Sequence, residues 1–160
     1  MSTTTTTTQI TNHQVRLARR PEGTPRREDW SFTAEPVGEP SDGGVLVQTL
    51  SLSLDPAMRG WMNEGKSYIP PVELGAVMRA GGIGRVVASR NAAFAAGDTV
   101  YGTLGVQEYC LIAQEEIKRS GLAKVDLRVG TIGQWLNVLG MPGMTAYSGL
   151  EGGGLPQAGE

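Results

Sequence analysis

The sequence contains very few of the residues that build disulfides and metal centres. It has a single cysteine, Cys110, and a single histidine, His13, in 160 residues. One cysteine cannot form an intrachain disulfide, and one thiolate with one imidazole is too small a donor set for a zinc site built from several thiolates. The shortage of cysteine is typical of a protein that works in a reducing compartment.

Long hydrophobic runs are missing as well. No stretch approaches the roughly 18 apolar residues that a membrane-spanning helix needs. The N-terminus is a polar tract with threonine at every position from 3 to 8, without the apolar core of a signal peptide. Such a tract has nothing to bury, so we expect residues 1–12 to be a disordered tail. These absences predict a cytoplasmic protein with no membrane partner.

Positive charge is in excess only at the beginning of the chain. Residues 1–27 carry five arginines and one glutamate, a sum of +4, which leaves −6 for the remainder because the net charge is −2. A basic arm can contact nucleic acid. Here no aromatic side chains alternate with the arginines and the rest of the chain is acidic, so the pattern favours a solvated segment and no nucleic-acid partner.

Glycine is abundant, with 23 residues in 160, about twice the average share of ~7%. Short apolar or alternating segments lie between glycine and proline turns, at 14–18, 30–35, 45–54, 82–89, 98–103 and 106–113. This spacing predicts a small β-barrel or sandwich, with Cys110 in its core. Helical periodicity appears only at 131–139, and a second short helix can begin at Pro142. The predicted class is mainly β with short helices (α+β).

Two glycine motifs resemble nucleotide-binding loops but lack the required context. Residues 60–67 fit the phosphate-loop spacing, yet no buried strand precedes them and two prolines prevent a helix after them. Gly82 and Gly84 begin a dinucleotide fingerprint whose third glycine is replaced by Val87, in a segment that continues as a strand. Glycines inside a strand mark either sheet geometry, such as a bulge, or close approach of a ligand, and both remain open here.

Single residues offer little catalytic chemistry, but two segments are good candidates for a site. His13 has no companion in the sequence, and we expect no catalytic role for it. Residues 53–60 place an acid, a proline, a methionine and an arginine at the start of a long loop that runs to Gly75, where ligand contacts are common. Residues 139–147 start a helix with Thr145 in its first turn. The Thr145 hydroxyl can point into a cleft or form a local hydrogen bond, and the sequence leaves both open.

Taken in order, six segments resemble the zinc-independent medium-chain dehydrogenase/reductase superfamily. Within it they resemble the branch of leukotriene B4 12-hydroxydehydrogenase, prostaglandin reductase and plant alkenal double-bond reductase, which includes bacterial curcumin-reductase-like proteins. The segments lie at 52–60, 68–75, 81–90, 94–98, 107–109 and 139–147.

The resemblance implies a GroES-like β-barrel at 13–130 that forms the substrate side of a cleft. It implies connecting helices at 131–160 that lead toward a Rossmann domain, which this sequence lacks. The implied cofactor is NADPH, without a metal, and the implied reaction is hydride transfer to the C=C bond of a small hydrophobic enone or enal. Cofactor contacts are implied for Asp55, Pro56, Met141 and Thr145, and substrate contacts for Ala57, Met58, Arg59 and Gly81. No catalytic residue is assigned.

The resemblance also sets limits on what can be carried over. Plant relatives have tyrosines at the positions of Ala57 and Gly81, so substrate preference cannot be inherited. The whole enzyme is expected to be a homodimer, and the 160-residue chain alone is expected to be inactive. The alternative hypothesis is a stand-alone GroES-like module that binds a small ligand or a partner without redox chemistry.

Overall fold

The computed structural model describes residues 10–65 and 67–153 of the chain. Most of the predicted tail, and the end of the predicted connecting region, therefore lie outside the described residues. Within these ranges the strands are β1 (Thr11–Leu17), β2 (Trp30–Pro36), β3 (Val45–Leu52), β4 (Gly81–Ser89), β5 (Thr99–Thr103), β6 (Tyr109–Ile112) and β7 (Ala123–Lys124). The α-helices are α1 (Ala57–Trp61), α2 (Ile117–Ser120), α3 (Ile132–Leu136) and α4 (Met141–Gly153). The prediction of a mainly β chain with short helices is confirmed.

The strands form two antiparallel sheets that meet along one edge. β1 and β2 make a hairpin, and the larger sheet has the order β6-β3-β4-β5-β7. The free edge of β1 bonds to the loops on either side of β4 and β5, through Val15 N–H to the Val106 carbonyl (2.9 Å) and Leu17 N–H to the Ala76 carbonyl (3.0 Å). The hairpin thereby closes the larger sheet into a barrel-like body.

Two apolar clusters form the core. The larger one lies on the inner face of the five-stranded sheet and contains Val45, Val47, Val86, Val100, Leu104, Cys110, Ile112 and Leu122. The smaller one joins the hairpin to the long loop through Leu17, Met62, Val72 and Met78. Cys110 is in the core as predicted, and burial raises the pKa of its thiol to about 11.

Gly82 and Gly84 lie in the part of β4 that pairs with Thr49 and Leu52 of β3. A Cβ atom on Gly82 would lie 2.8 Å from the Ser51 carbonyl oxygen, and one on Gly84 would lie 2.5 Å from the Gln48 carbonyl oxygen. The strand register also shifts between Thr49 and Ser51. Both glycines are therefore explained by sheet geometry, the first of the two alternatives.

Several predicted boundaries are wrong. β1 begins at Thr11, inside the predicted tail, because the amide of Asn12 is buried and exchanges hydrogen bonds of 2.9 Å with the Tyr109 backbone. β3 ends at Leu52 instead of residue 54. The last helix runs from Met141 through Gly153, so it is longer than the short helix predicted to begin at Pro142.

The largest correction is α1, inside the stretch predicted to be irregular. Pro56 has φ −53° and ψ −30°, a helical conformation, and the Asp55 carboxylate accepts the Ala57 N–H at 2.7 Å. The sequence does carry this signal, because an Asp-Pro pair supplies an acceptor for a free helix N–H and a residue with a helical φ.

Candidate active site

The first predicted site segment lies at the end of β3. Asp55 and Pro56 are exposed, whereas Ala57 and Met58 are half-buried at the start of α1. The Ser53 N–H donates to the Gly81 carbonyl at 2.9 Å. This bond connects the segment that carries Asp55 to the start of β4, so the structure brings these predicted cofactor and substrate residues to one end of the sheet.

Arg59 is bonded within its own chain. Its guanidinium donates to the carbonyl oxygens of Gly23 (2.8 Å) and Pro21 (2.9 Å) and to Asn63 Oδ1 (2.5 Å). The guanidinium of Arg20 makes a second link nearby, because it donates to the Met62 carbonyl at 2.9 Å. The two arginines together attach α1 to the loop at residues 20–23, and Arg59 has few donors left for a substrate.

Three side chains near α1 form a polar and aromatic group that the sequence did not point to. Trp61 Nε1 donates to the Tyr68 hydroxyl at 2.9 Å, and the guanidinium carbon of Arg79 lies 5.5 Å from the centre of the Trp61 ring. Tyr68 is 82% exposed. Because its oxygen accepts from Trp61, the Tyr68 hydroxyl keeps its own proton for another acceptor. Tyr68 lies in one of the resembling segments, but folding was needed to bring Trp61 and Arg79 beside it.

Gly81 lies next to a tyrosine of the neighbouring strand. A Cβ atom on Gly81 would be 3.3 Å from the hydroxyl oxygen of Tyr101. A larger residue here therefore requires the Tyr101 side chain to shift by a few tenths of an ångström.

The second predicted segment starts α4. A Cβ atom on Gly143 would overlap the carbonyl oxygen of Val138, so the tight turn from α3 into α4 requires glycine. The Thr145 hydroxyl donates to the Met141 carbonyl at 2.8 Å, the local alternative of the two left open. Met141 is 66% exposed. Among the hydrogen bonds of the described residues, none joins α4 to the end of β3.

His13 has a partner in the structure, although no companion lies near it in the sequence. Its Nδ1 lies 2.6 Å from Glu108 Oε2, and this interaction lowers the pKa of the Glu108 carboxyl. Both residues line a cavity of about 570 Å³ between the hairpin and β3, whose walls include Val15, Phe32 and Leu50. None of the predicted site residues lines this cavity.

Two features, a metal-binding group and a membrane-spanning helix, are absent from residues 10–65 and 67–153. No three His, Cys, Asp or Glu side chains lie together in a way that could hold a metal ion. None of the helices in this part of the chain has the length and apolar character needed to cross a membrane.

Comparisons with known proteins agree with this architecture. Residues 13–120 match a family described as the N-terminal domain of oxidoreductase. The chain is 41% identical over 150 residues to the NADPH-dependent curcumin reductase of Escherichia coli (strain K12), covering 93% of the chain and 42% of that protein. It is 32% identical over 157 residues to the NADP(+)-dependent 2-alkenal reductase of Nicotiana tabacum, covering 95% of the chain and 44% of that protein. The chain thus spans less than half the length of these relatives.

A solved structure shows the same fold. The crystal structure of CurA from Vibrio vulnificus in complex with NADPH superposes with a TM-score of 0.80 at 36% identity, over 92% of this chain and 42% of that one. The predicted GroES-like fold and the predicted resemblance are both confirmed. The chain belongs to the family of N-terminal oxidoreductase domains, in the branch that includes curcumin reductase and 2-alkenal reductase.

Proposed function

We propose that the whole enzyme is a zinc-independent, NADPH-dependent oxidoreductase that reduces the C=C bond of small hydrophobic enones and enals. This chain would form the substrate side of its cleft. The observation that carries the proposal is the 41% identity to an NADPH-dependent curcumin reductase across 93% of the chain. The exposed residues at the end of β3 are consistent with it. A cytoplasmic location and a homodimer remain predictions.

The described residues fit the nicotinamide end of NADPH better than its phosphates. Asp55 and Thr145 present exposed oxygen acceptors, and the exposed side chains of Met141 and Met144 present apolar surface. No glycine-rich turn joins a strand to a helix within the described ranges in the way that cradles a pyrophosphate. We therefore propose nicotinamide contacts for Asp55, Pro56, Met141 and Thr145, and phosphate contacts outside this chain.

NADPH, when bound, supplies the hydride. Negative charge then develops on the substrate carbonyl oxygen, and a fixed hydrogen-bond donor aimed at that oxygen lowers the barrier. Tyr68 is the donor that we assign, because its oxygen accepts from Trp61 Nε1 and its proton has no acceptor among residues 10–65 and 67–153. Ala57, Met58 and Gly81 would contact the apolar part of the substrate. Arg59 would hold α1 in place for these contacts.

The test is an assay of the whole enzyme with NADPH and a panel of small enones and enals, measured as loss of NADPH absorbance. We expect substrate-dependent oxidation and a product with a saturated Cα–Cβ bond. Tyr68→Phe should lower kcat/KM by roughly 10–100-fold. The matched control is Tyr109→Phe. Tyr109 lies in β6, on the side of β3 away from β4, and its hydroxyl lies 3.3 Å from Gln48 Nε2.

No NADPH oxidation above background with any enone or enal would overturn the proposal. It would favour the stand-alone binding module, which has one structural observation in its support. The 570 Å³ cavity between the hairpin and β3 is built entirely within this chain, and its volume is within the usual range for small-molecule sites.

A further inference from the structure

Arg79 is a partly buried cation without a carboxylate partner in the part of the chain that the structure describes. Its guanidinium donates to the Pro70 carbonyl at 3.0 Å and lies beside the Trp61 ring. No described carboxylate forms an ion pair with it. Burial lowers the pKa of Arg79, and the neighbouring Tyr68 hydroxyl opposes this only in part. A guanidinium that has lost some of its water without gaining a counterion favours the arrival of an anion.

Arg79 lines a cavity of about 520 Å³. This volume is typical of sites for small molecules. Ile69, Pro70, Pro71 and Val77 form the apolar part of its wall, and Thr103 also lines it. The cavity is distinct from the one beside His13, because the two share no residue.

The charges around the cavity favour a monoanion. Arg119 also lines it but is bonded to Glu116 at 2.5 Å, and Glu73 adds a second carboxylate. The lining therefore contains two arginines and two glutamates, which sum to zero. A phosphate dianion would meet one unpaired cation and would be repelled by Glu73. A carboxylate needs only the planar fork of one guanidinium.

We propose that this cavity binds an apolar carboxylate, with the carboxylate paired to Arg79 and the apolar body packed against the Ile69-Pro70-Pro71 wall. Arg79 precedes Gly81 by two residues and contacts Trp61 of α1. The ligand would thus lie beside the end of β3.

The experiment is calorimetric titration of the 160-residue chain with phenylbutyrate, with the neutral amide of the same acid, and with inorganic phosphate. We expect saturable binding of phenylbutyrate, roughly tenfold or more weaker binding of the amide, and no competition by equimolar phosphate. Arg79→Gln should weaken phenylbutyrate binding by roughly tenfold or more. Arg85→Gln is the matched control, because Arg85 is an exposed arginine in the neighbouring strand β4. This variant should bind phenylbutyrate like the unchanged chain.

Equal affinity for the acid and the amide would overturn the proposal, as would preferential binding of phosphate or an unaffected Arg79→Gln variant. Urea unfolding of each variant shows whether it is folded. If Arg79→Gln does not fold, the comparison of acid and amide on the unchanged chain still shows whether the cavity prefers a carboxylate. The titrations contain no NADPH, so their failure would leave the proposed reductase activity untouched.

Discussion

Substitution of Arg59 tests whether its side chain stabilises α1 or is available to contact a substrate. Arg59→Met keeps the length of the side chain and removes all three hydrogen bonds, two of them to backbone carbonyls 36 and 38 residues away. A hydrogen bond from a charged donor contributes about 1.5–3 kcal/mol when it is buried. These donors are partly exposed, so we expect a total loss of about 2 kcal/mol. In a domain of this size that corresponds to a decrease of about 4–8 °C in Tm.

The matched control is Arg128→Met. The Arg128 guanidinium is 91% exposed and bonds only to Asp126, two residues away. Its removal should change the free energy of unfolding by less than about 0.5 kcal/mol. The assay is urea unfolding of the 160-residue chain, combined with amide hydrogen exchange of residues 57–63, which should be faster in Arg59→Met only. Equal urea midpoints and equal exchange rates for the two variants would refute the role of Arg59 in holding α1. Such a result would favour the alternative that Arg59 contacts substrate.

Four further predictions concern the body of the domain. Gly84→Ala should lower the free energy of unfolding by about 1–3 kcal/mol, because the added methyl meets the Gln48 carbonyl. Gly133→Ala in α3 should raise the free energy of unfolding by about 0.5–1 kcal/mol, because open space surrounds the new methyl and alanine favours a helix. Urea midpoints of the two variants that move in the same direction would contradict this pair of predictions. The chain should become less stable as the pH rises from about 9 toward 11, since the unfolded Cys110 thiol ionises before the folded one, whose pKa is about 11. Alkaline unfolding curves of Cys110→Ala should lack that contribution. Asp29 is buried, and the Arg26 N–H and the Arg19 guanidinium lower the pKa of its carboxyl. Its stabilising effect should therefore be present at neutral pH and lost as the pH falls below the ordinary aspartate pKa. Asp29→Asn should remove this acid sensitivity in urea titrations, whereas Asp42→Asn at a 99% exposed side chain should not.

The strands were predictable because their signals are local. Val45, Val47 and Val86 fall in short apolar segments bounded by glycine turns, and each is buried in a strand. The helix at α1 was missed although its Asp-Pro start was visible, because glycines and prolines later in the loop outweighed it. Strand ends were missed where a side chain decides them, as the buried amide of Asn12 does for β1.

The candidate site was predictable only in part. The two segments that carry Asp55 and Thr145 were found from the long loop and the helix start in the sequence, and the family resemblance then added the expected roles of their residues. The group of Trp61, Tyr68 and Arg79 was not found, because its members are joined by a hydrogen bond and a ring contact rather than by a pattern of spacing.

By itself the sequence determined the mainly β class and the positions of the turns, because periodicity, glycine and proline act over a few residues. The GroES-like family came from the resemblance of six segments to known proteins. Tertiary structure alone decided how side chains are used. It paired His13 with Glu108 across 95 positions and tied Arg59 to carbonyls near residue 22. It also left Arg79 partly buried, with no counterion among the residues that the structure describes. These outcomes depend on which distant segments pack together, so no local pattern could contain them.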